Sequence, residues 1–482
     1  MICIPIISKT TEEALNDIEK ASKADIMELR IDYIKNLDLT RLLKEKKKKI
    51  IVTNRKKNEG GCFEGSEEER INTLKKSISL GADFIDIELS SGEKAIKELS
   101  KSKKDTKIIL SYHNFEETPE NLEEIYKKIK AFSPDIVKIV TFANLSKDNL
   151  AIFNFLKNKK RIISFCMGEK GTPSRILYKK FGSFLTFASL EKSKESAPGQ
   201  LTFDEMKNIY RADSVNNNTK IFGLIGNPVS QSKSYFLYNT VFKKAGYNGI
   251  YINLLTDNMG DITLLMKELG MKGASVTIPF KEKLFGLLDE ADGISKKIGA
   301  INTIVEDNGN LKGYNTDYIG VEKAINEETP IKGKTAVILG AGGAAKAAAY
   351  AVKKNGGKLV ILNRTADKAE KLAKLYGAKF GSLENFKKIS EEGYDILINT
   401  TSVGLNGPNV SPVDKKFLLP NKIVLDAVYK PIKTRLLRDA EEKNCKIKTG
   451  LKWLGYQAIG QLRYWDNIKV DYNLIEKILS NQ

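Results

Sequence analysis

The sequence predicts an α/β protein: a (β/α)8 barrel followed by a two-lobed α/β region that carries a doubly wound, Rossmann-type sheet. Three observations carry this. Short β-branched runs alternate with charged, helix-period segments eight times in the N-terminal half. A polar break, DSVNNNT, lies at 213–219. A strand, glycine turn and helix follow one another in TAVILGAGGAAKAAAYAV. At 482 residues the chain is long enough for two or three domains of about 100–200 residues each.

The eight strand runs are expected at 2–7, 25–31, 50–53, 84–89, 107–112, 136–140, 161–165 and 184–188. About 24 residues per unit is compact for a fold that usually takes around 250. Catalytic residues of such a barrel sit at the C-terminal strand ends. There the chain places Glu28 and Arg30, Arg55 and Glu59, Glu88, and His113, with Lys138 inside the sixth run. A parallel strand buried on both faces should be continuously apolar, and DIVKIVT is not. A buried ammonium is costly unless it is paired or loses its proton. Lys138 is therefore either a lysine snorkelling from a strand end or a desolvated amine poised to form a Schiff base with a ketone. His113 is either structural or a general acid/base, and its place on the strand before the lysine favours the second.

Composition narrows the function classes. Lys+Arg number 79 against 60 Asp+Glu, a net +19, but only 11 of the cations are Arg. The charge is spread along the chain, with one dense run at Lys46-Lys47-Lys48-Lys49, expected at the end of a helix. Nucleic-acid binders favour Arg-rich, aromatic-interleaved patches, so no nucleic-acid partner is expected, whereas a basic balance suits anionic metabolites. The single histidine excludes polyhistidine zinc sites, HExxH peptidases and paired-His iron centres. Cys3, Cys62, Cys166 and Cys445 are too scattered for a metal pair or a disulfide framework; no metal is expected. No run approaches the roughly 18 apolar residues of a membrane helix, and the N-terminus lacks a signal-peptide layout. A cytoplasmic monomer without a membrane partner is expected.

ELRID (28–32), TNRKKNEGG (53–61), SYHNFEETP (111–119), the lysine strand, MGEKGTPSR (167–175) and SAPGQ (196–200) together resemble type I 3-dehydroquinate dehydratase. The resemblance implies that Lys138 forms an imine with the substrate ketone, that His113 carries the proton from the neighbouring carbon to the leaving hydroxyl, and that Glu59 orients His113. It also implies that Arg55 and Arg175 hold the substrate carboxylate and hydroxyls, that Ser196 and Gln200 close from the last loop, and that Glu28 and Arg30 pair with each other beside the substrate. Asn54 stands where the family usually has an aromatic residue.

In the C-terminal half Gly340, Gly342 and Ala345 fit the dinucleotide fingerprint G-x-G-x-x-G/A between strand and helix. Gly340 allows the tight turn, and Gly342, Gly343 and Ala344 bring backbone amides to a pyrophosphate at the helix N-terminus. The next strand ends on Asn363 and Arg364, where an NAD-binding protein usually places an acid. A cation suits a 2′-phosphate, so NADP(H) is expected, supported by Thr365 and Lys368; the alternative is that Thr365 is an ordinary helix cap. This half has no histidine, which excludes a His-based dehydrogenase.

GNPVSQSKS, ASVTIPFK, GAINTI, GYNTD, NTTSVG, DAVYKP and GLKWLGYQA resemble shikimate dehydrogenase over 219–478. The resemblance implies that Ser232 and Ser234 bind the substrate carboxylate, that Thr277, Asn302 and Gln457 contact its hydroxyls beside Tyr429, and that Gly450 adjoins the cofactor. Lys281 and Asp317 would flank the carbon that receives hydride. Tyr235, Tyr238 and Trp453 depart from the usual proline, histidine and methionine. The expected domains are 1–213 (barrel), 219–330 (substrate lobe), 331–450 (Rossmann lobe) and 451–482 (returning helices). The two reactions are consecutive, from 3-dehydroquinate to 3-dehydroshikimate to shikimate. The rival readings are an aldolase-like barrel fused to an NAD-dependent quinate/shikimate dehydrogenase, and a non-catalytic metabolite-binding scaffold.

Overall fold

The computed structural model describes every residue except 45, 231, 406, 408, 481 and 482. The chain divides into two compact units, Met1–Gly223 with Val229–Gly270 and Leu224–Pro228 with Met271–Gln482.

The first unit contains the barrel. Its strands are β1 (Ile2–Ile6), β2 (Ile26–Arg30), β3 (Lys49–Thr53), β4 (Phe84–Glu88), β5 (Lys107–His113), β6 (Ile136–Phe142), β7 (Ile162–Met167) and β8 (Thr186–Phe187). They are hydrogen-bonded in sequence order, and β8 pairs in parallel with β1. The seam between β7 and β8 has no ladder, and the Phe184 N–H bridges it to the Ile162 carbonyl at 2.7 Å. All eight expected runs are strands, although the last keeps only two residues. The lysine run is a correction: the helix Leu39–Lys44 ends before it, and Lys49 opens β3 because it pairs with Ile26.

Residues two apart on a strand share a face, which sorts the barrel interior by height. Ile26, Ile51, Phe84, Ile109, Ile136 and Ile163 join one buried apolar cluster. Each such side chain stabilises the fold by about 1.5–3 kcal/mol relative to exposure. Two residues further along the same strands the interior carries Glu28, Thr53, Asp86, Ser111 and Lys138, and then Arg30, Glu88 and His113. The floor is dry and the mouth is charged.

Arg70, on the helix Glu67–Ser79, supports that mouth from outside and is fully buried. Its Nη1 donates to Glu88 Oε2 at 2.7 Å and to the Asn54 carbonyl at 2.9 Å. Its Nη2 donates to Ser91 Oγ at 2.6 Å, and Nε and Nη2 together hold Glu67. Asn54 is itself buried, so the unexpected residue sits beneath this guanidinium.

The same unit holds the helix Ser234–Lys244 and the strand Gly249–Leu255. Their packing accounts for two departures. Tyr235 stacks on Tyr210, with centroids 5.6 Å apart and planes at 13°, and Tyr238 stacks on Tyr251 at 4.5 Å. Arg211 Nη2 donates to the Gly249 carbonyl at 3.0 Å. The Asn239 amide bonds both the N–H and the carbonyl of Tyr251, at 2.9 and 2.8 Å, which seats the helix on the strand.

In the second unit Met271–Val276, Thr303–Asp307 and Asn310–Tyr314 form an antiparallel ladder, with Glu290–Ala291 added in parallel. A six-stranded parallel sheet follows, in the order Lys379–Gly381, Lys358–Leu362, Thr335–Leu339, Ile396–Asn399, Ile423–Asp426, Lys446–Lys448. This is the 3-2-1-4-5-6 arrangement of a doubly wound nucleotide fold. Alternate residues feed cores on its two faces, Ile338 and Ile398 on one and Leu339 and Leu397 on the other. Trp453, on the helix Gly450–Asp466, covers Gly320, where an added Cβ would lie 2.4 Å from the indole. The methionine position thus holds a packed ring. Among the described residues no helix is long and apolar enough to cross a membrane.

Removing Arg70 breaks a buried ion pair and should destabilise the barrel by about 3 kcal/mol. Urea unfolding of Arg70→Met, followed by circular dichroism, checks this; a midpoint equal to that of the parent protein would refute the supporting role.

Candidate active sites

One pocket at the barrel mouth is lined by Glu28, Arg30, Arg55, Glu59, His113, Lys138, Arg175, Ser196 and Gln200; Glu88, also singled out at a strand end, does not line it and instead pairs with Arg55 and Arg70. Lys138 Nζ lies 2.8 Å from Asp86 Oδ2 and 3.7 Å from Glu28 Oε1. Asp86 also meets Arg55 Nη2 at 3.0 Å and accepts from Ser111 Oγ at 2.6 Å. Burial raises the Asp86 carboxyl's affinity for a proton, but Arg55 and Lys138 outweigh it and hold the pKa far below the usual carboxylate range. Asp86 is thus a permanent anion.

His113 Nδ1 lies 3.2 Å from Glu59 Oε2, and the ring is 8% exposed. Burial, then Arg55 and Lys138, lower the imidazole pKa well below its ordinary value. Burial also raises Glu59. With Nδ1 turned to Glu59, Nε2 is the nitrogen left to exchange a proton. Phe115 stacks beside His113 and packs over Gly60, where an added Cβ would lie 2.4 Å from the ring.

Two expectations change. Arg30 does not pair with Glu28; its Nε and Nη2 hold Asp32 at 2.9 and 2.8 Å. Glu28 instead turns to Thr53 Oγ1 at 2.8 Å and to Lys138. A guanidinium fork matches the carboxylate two residues on, while Glu28 serves the buried ammonium. Arg55 is also engaged, by Asp86, Glu88 and Ser111. Arg175 is in the opposite situation. It is 1% exposed, forms no ion pair among the described residues, and its Nε has no hydrogen-bond partner. Its surroundings are the Phe165 ring at 4.5 Å and the Pro198 carbonyl at 3.5 Å, and burial pulls its pKa down to about 10. Gln200 Oε1 accepts from the Ser196 N–H at 2.8 Å, while its Nε2 is buried without an acceptor.

Asp86 and Arg70 were not singled out from the sequence. The available signal was FIDIE, which puts two acids at i and i+2 on β4, one strand from β3, which leads into Arg55, and two strands from β6, which carries Lys138.

In the second unit Lys281 Nζ lies 2.6 Å from Asp317 Oδ2. Asp317 opens the helix Asp317–Asn326 and is buried. The turn before it is fixed by two amides. Asn315 Oδ1 accepts from the Asp317 N–H at 3.0 Å, and Asn302 accepts from the Thr316 N–H at 2.8 Å while donating to Thr316 Oγ1 at 3.1 Å. Gln461 sits one turn beyond the half-buried Gln457 and was missed. Its Nε2 donates to the Asn302 carbonyl at 3.0 Å and to Thr303 Oγ1 at 2.9 Å. Thr277 is half-buried, with its methyl against Gly226. Tyr429 is half-buried and follows Asp426, whose carboxyl burial raises to about 6. Ser232 and Ser234 belong to the first unit, where their hydroxyls are 2.9 Å apart.

A groove of about 640 Å³ runs along the end of the parallel sheet, lined by Gly340, Gly342, Asn363, Arg364, Thr365 and Lys368 among others. Gly340 has φ +114, and a Cβ there would lie 2.4 Å from Thr400 Oγ1. Gly343 and Ala344 begin the helix Gly343–Lys354. Asn363 Nδ2 donates to the Thr365 carbonyl at 2.9 Å, and the Thr365 hydroxyl makes no cap bond, so capping does not account for it. Arg364 and Lys368 are exposed and form no ion pair among the described residues. A Cβ on Gly450 would lie 2.6 Å from the Ala427 carbonyl, so no side chain fits there.

Family models match in succession: type I 3-dehydroquinase over residues 2–217, the shikimate dehydrogenase substrate binding domain over 224–304, and shikimate/quinate 5-dehydrogenase over 322–406. The chain is 38% identical to the chloroplastic bifunctional 3-dehydroquinate dehydratase/shikimate dehydrogenase of Arabidopsis thaliana, over all of this chain and 84% of that one. It is 32% identical to the shikimate biosynthesis protein AroDE of Chlamydia pneumoniae, over 96% of this chain and 95% of that one. A crystal structure of a shikimate dehydrogenase in complex with NADP+ superimposes with a TM-score of 0.53 at 36% identity, covering 55% of this chain and 96% of that one. The two pockets thus lie on one chain that belongs to the bifunctional 3-dehydroquinate dehydratase/shikimate dehydrogenase family of the shikimate pathway.

Proposed function

We propose that Lys138 is the imine-forming amine of the dehydratase half and His113 its proton carrier. Lys138 Nζ adds to the ketone of 3-dehydroquinate and water leaves, giving an iminium. His113 Nε2 removes a proton from the adjacent carbon, and the electron pair moves onto the iminium nitrogen as an enamine. The enamine then expels the β-hydroxyl, which takes the proton from His113, and hydrolysis frees 3-dehydroshikimate and Lys138. Asp86 balances the iminium charge, and Glu59 holds the ring and shares the charge that His113 gains. The observation that carries this assignment is Arg175, a buried guanidinium without an acid, facing the same pocket as Lys138 and suited to the substrate carboxylate. Glu28, Arg30, Arg55, Ser196 and Gln200 bind hydroxyls around it.

For the dehydrogenase half we infer that Lys281 protonates the alkoxide that develops as 3-dehydroshikimate is reduced, while Asp317 holds the lysine and orients the hydroxyl. Ser232 and Ser234 are assigned to the carboxylate, and Thr277, Asn302, Tyr429 and Gln457 to the ring hydroxyls. NADPH supplies the hydride when bound. The glycine turn is open for a pyrophosphate, and Arg364 and Lys368, with Asn363 and Thr365, fit a 2′-phosphate. We place the working domains at 1–213, 219–330, 331–450 and 451–482, in a cytoplasmic monomer.

Borohydride added with 3-dehydroquinate should fix substrate mass on the Lys138 peptide, and Lys138→Ala should lose dehydratase activity yet still oxidise NADPH with 3-dehydroshikimate; absence of the adduct would refute the imine. Because the imidazole is depressed, His113 is already neutral above about pH 6.5, so the acid limb of dehydratase kcat/KM should fall below that pH. A limb at or above it would contradict the burial argument. Arg364→Ala should raise the KM for NADPH by about tenfold to a hundredfold, the loss of a charge-assisted contact, and leave the KM for NADH unchanged. Equal effects on both would refute the 2′-phosphate assignment.

A further inference from the structure

The dinucleotide groove contains one carboxylate that an anion-binding surface would not be expected to keep. Lys346, Arg364, Lys368 and Lys371 line it, and Glu282 is the single acid among its described lining residues. Glu282 is half-exposed, and its Oε2 lies 2.5 Å from Lys346 Nζ, which also reaches the Gly299 carbonyl at 3.4 Å. Lys346 stands in the first turn of the helix Gly343–Lys354, with its N–H bonded to the Gly342 carbonyl at 3.0 Å. A Cβ on Gly342 would lie 4.0 Å from Glu282 Oε1, so the ion pair borders the glycine turn to which a pyrophosphate would come.

Glu282 is also adjacent in sequence to Lys281. An added Cβ on Gly343 would lie 3.2 Å from the Lys281 Cβ and 3.4 Å from its Cδ, so the stem of that lysine rests on the glycine turn. The segment carrying Lys281 and the cofactor helix are thus joined twice, by this packing and by the Glu282–Lys346 pair.

We propose that Glu282 is an internal competitor for Lys346: it occupies the ammonium while the groove is empty, yields it to the pyrophosphate of an arriving dinucleotide, and reclaims it to speed release. This rests on the groove being the dinucleotide site. A cationic groove with no counter-charge would bind product and reactant alike too tightly, and uniform tightness does nothing for turnover. Because Lys346 adjoins the pyrophosphate turn and not Arg364, the competition acts on NAD+ and NADP+ equally.

Isothermal titration of NADP+ and of NAD+ into the full-length protein tests this. Glu282→Gln should lower the Kd for both by about fivefold, the size of one partly screened charge interaction, and slow NADP+ dissociation in stopped flow by the same factor. Lys346→Met should weaken both by about tenfold. The double variant should match Lys346→Met alone, because Glu282 acts only through Lys346. An unchanged or weaker Kd in Glu282→Gln overturns the proposal, and additive effects in the double variant overturn it in favour of general repulsion. If the parent protein binds neither dinucleotide, the groove assignment itself falls. Near-ultraviolet circular dichroism of each sample checks its fold.

Discussion

A buried ammonium needs a carboxylate beside it, and that requirement at Lys138 organises the barrel mouth. Asp86 meets it, but Asp86 is itself buried and is shared with Arg55. Arg55 passes the demand to Glu88, Glu88 to Arg70, and Arg70 to Glu67 near the surface. The result is a line of alternating charges from the barrel interior to solvent. Each member is costly alone and tolerable only because the next is present. The line explains why the floor of the same strands is all Ile and Phe, since the stabilisation lost around the charges has to come from elsewhere in the barrel.

The same network sets up the chemistry. Burial, and after it the cations of this network, lower the His113 pKa and favour the neutral ring. The network occupies Arg55 and leaves Arg175, across the pocket, as a buried cation without an anion of its own. The pocket thus keeps one buried guanidinium that forms no ion pair among the described residues. The dehydrogenase half solves a smaller problem in a more open setting. Its lysine has one acid, Asp317, placed by a single turn that two asparagines fix, and the groove at the sheet end keeps basic side chains in reach of solvent.

Much of this was legible in the sequence for local reasons. The eight strands and the glycine turn are periodic or compositional signals, and Lys138 stood out because a charge breaks an apolar run. The strand ends shifted by one or two residues, and β8 shrank to two because its neighbour on one side offers a single bond and not a ladder. Tyr235 and Tyr238 looked like substitutions at a substrate-facing stretch, yet each is paired with another tyrosine, a contact that no spacing along the chain announces. Gln461 was hidden for the same reason, since it differs from any helical glutamine only in reaching Asn302 and Thr303.

By itself the sequence determined the fold class, the order of the two halves and the candidate residues proposed for each half. These follow from periodicity of 2 and 3.6 and from motifs within a few residues of one another. Only the tertiary structure decided which charges meet. Arg30 chose Asp32 over Glu28, Asp86 became the partner of Lys138, and Arg175 was left without one. The reason is that ion pairing needs atoms within a few ångströms, and which side chains come that close inside the barrel is set by how its strands face one another, as for Lys138 on β6 and Asp86 on β4, 52 residues apart.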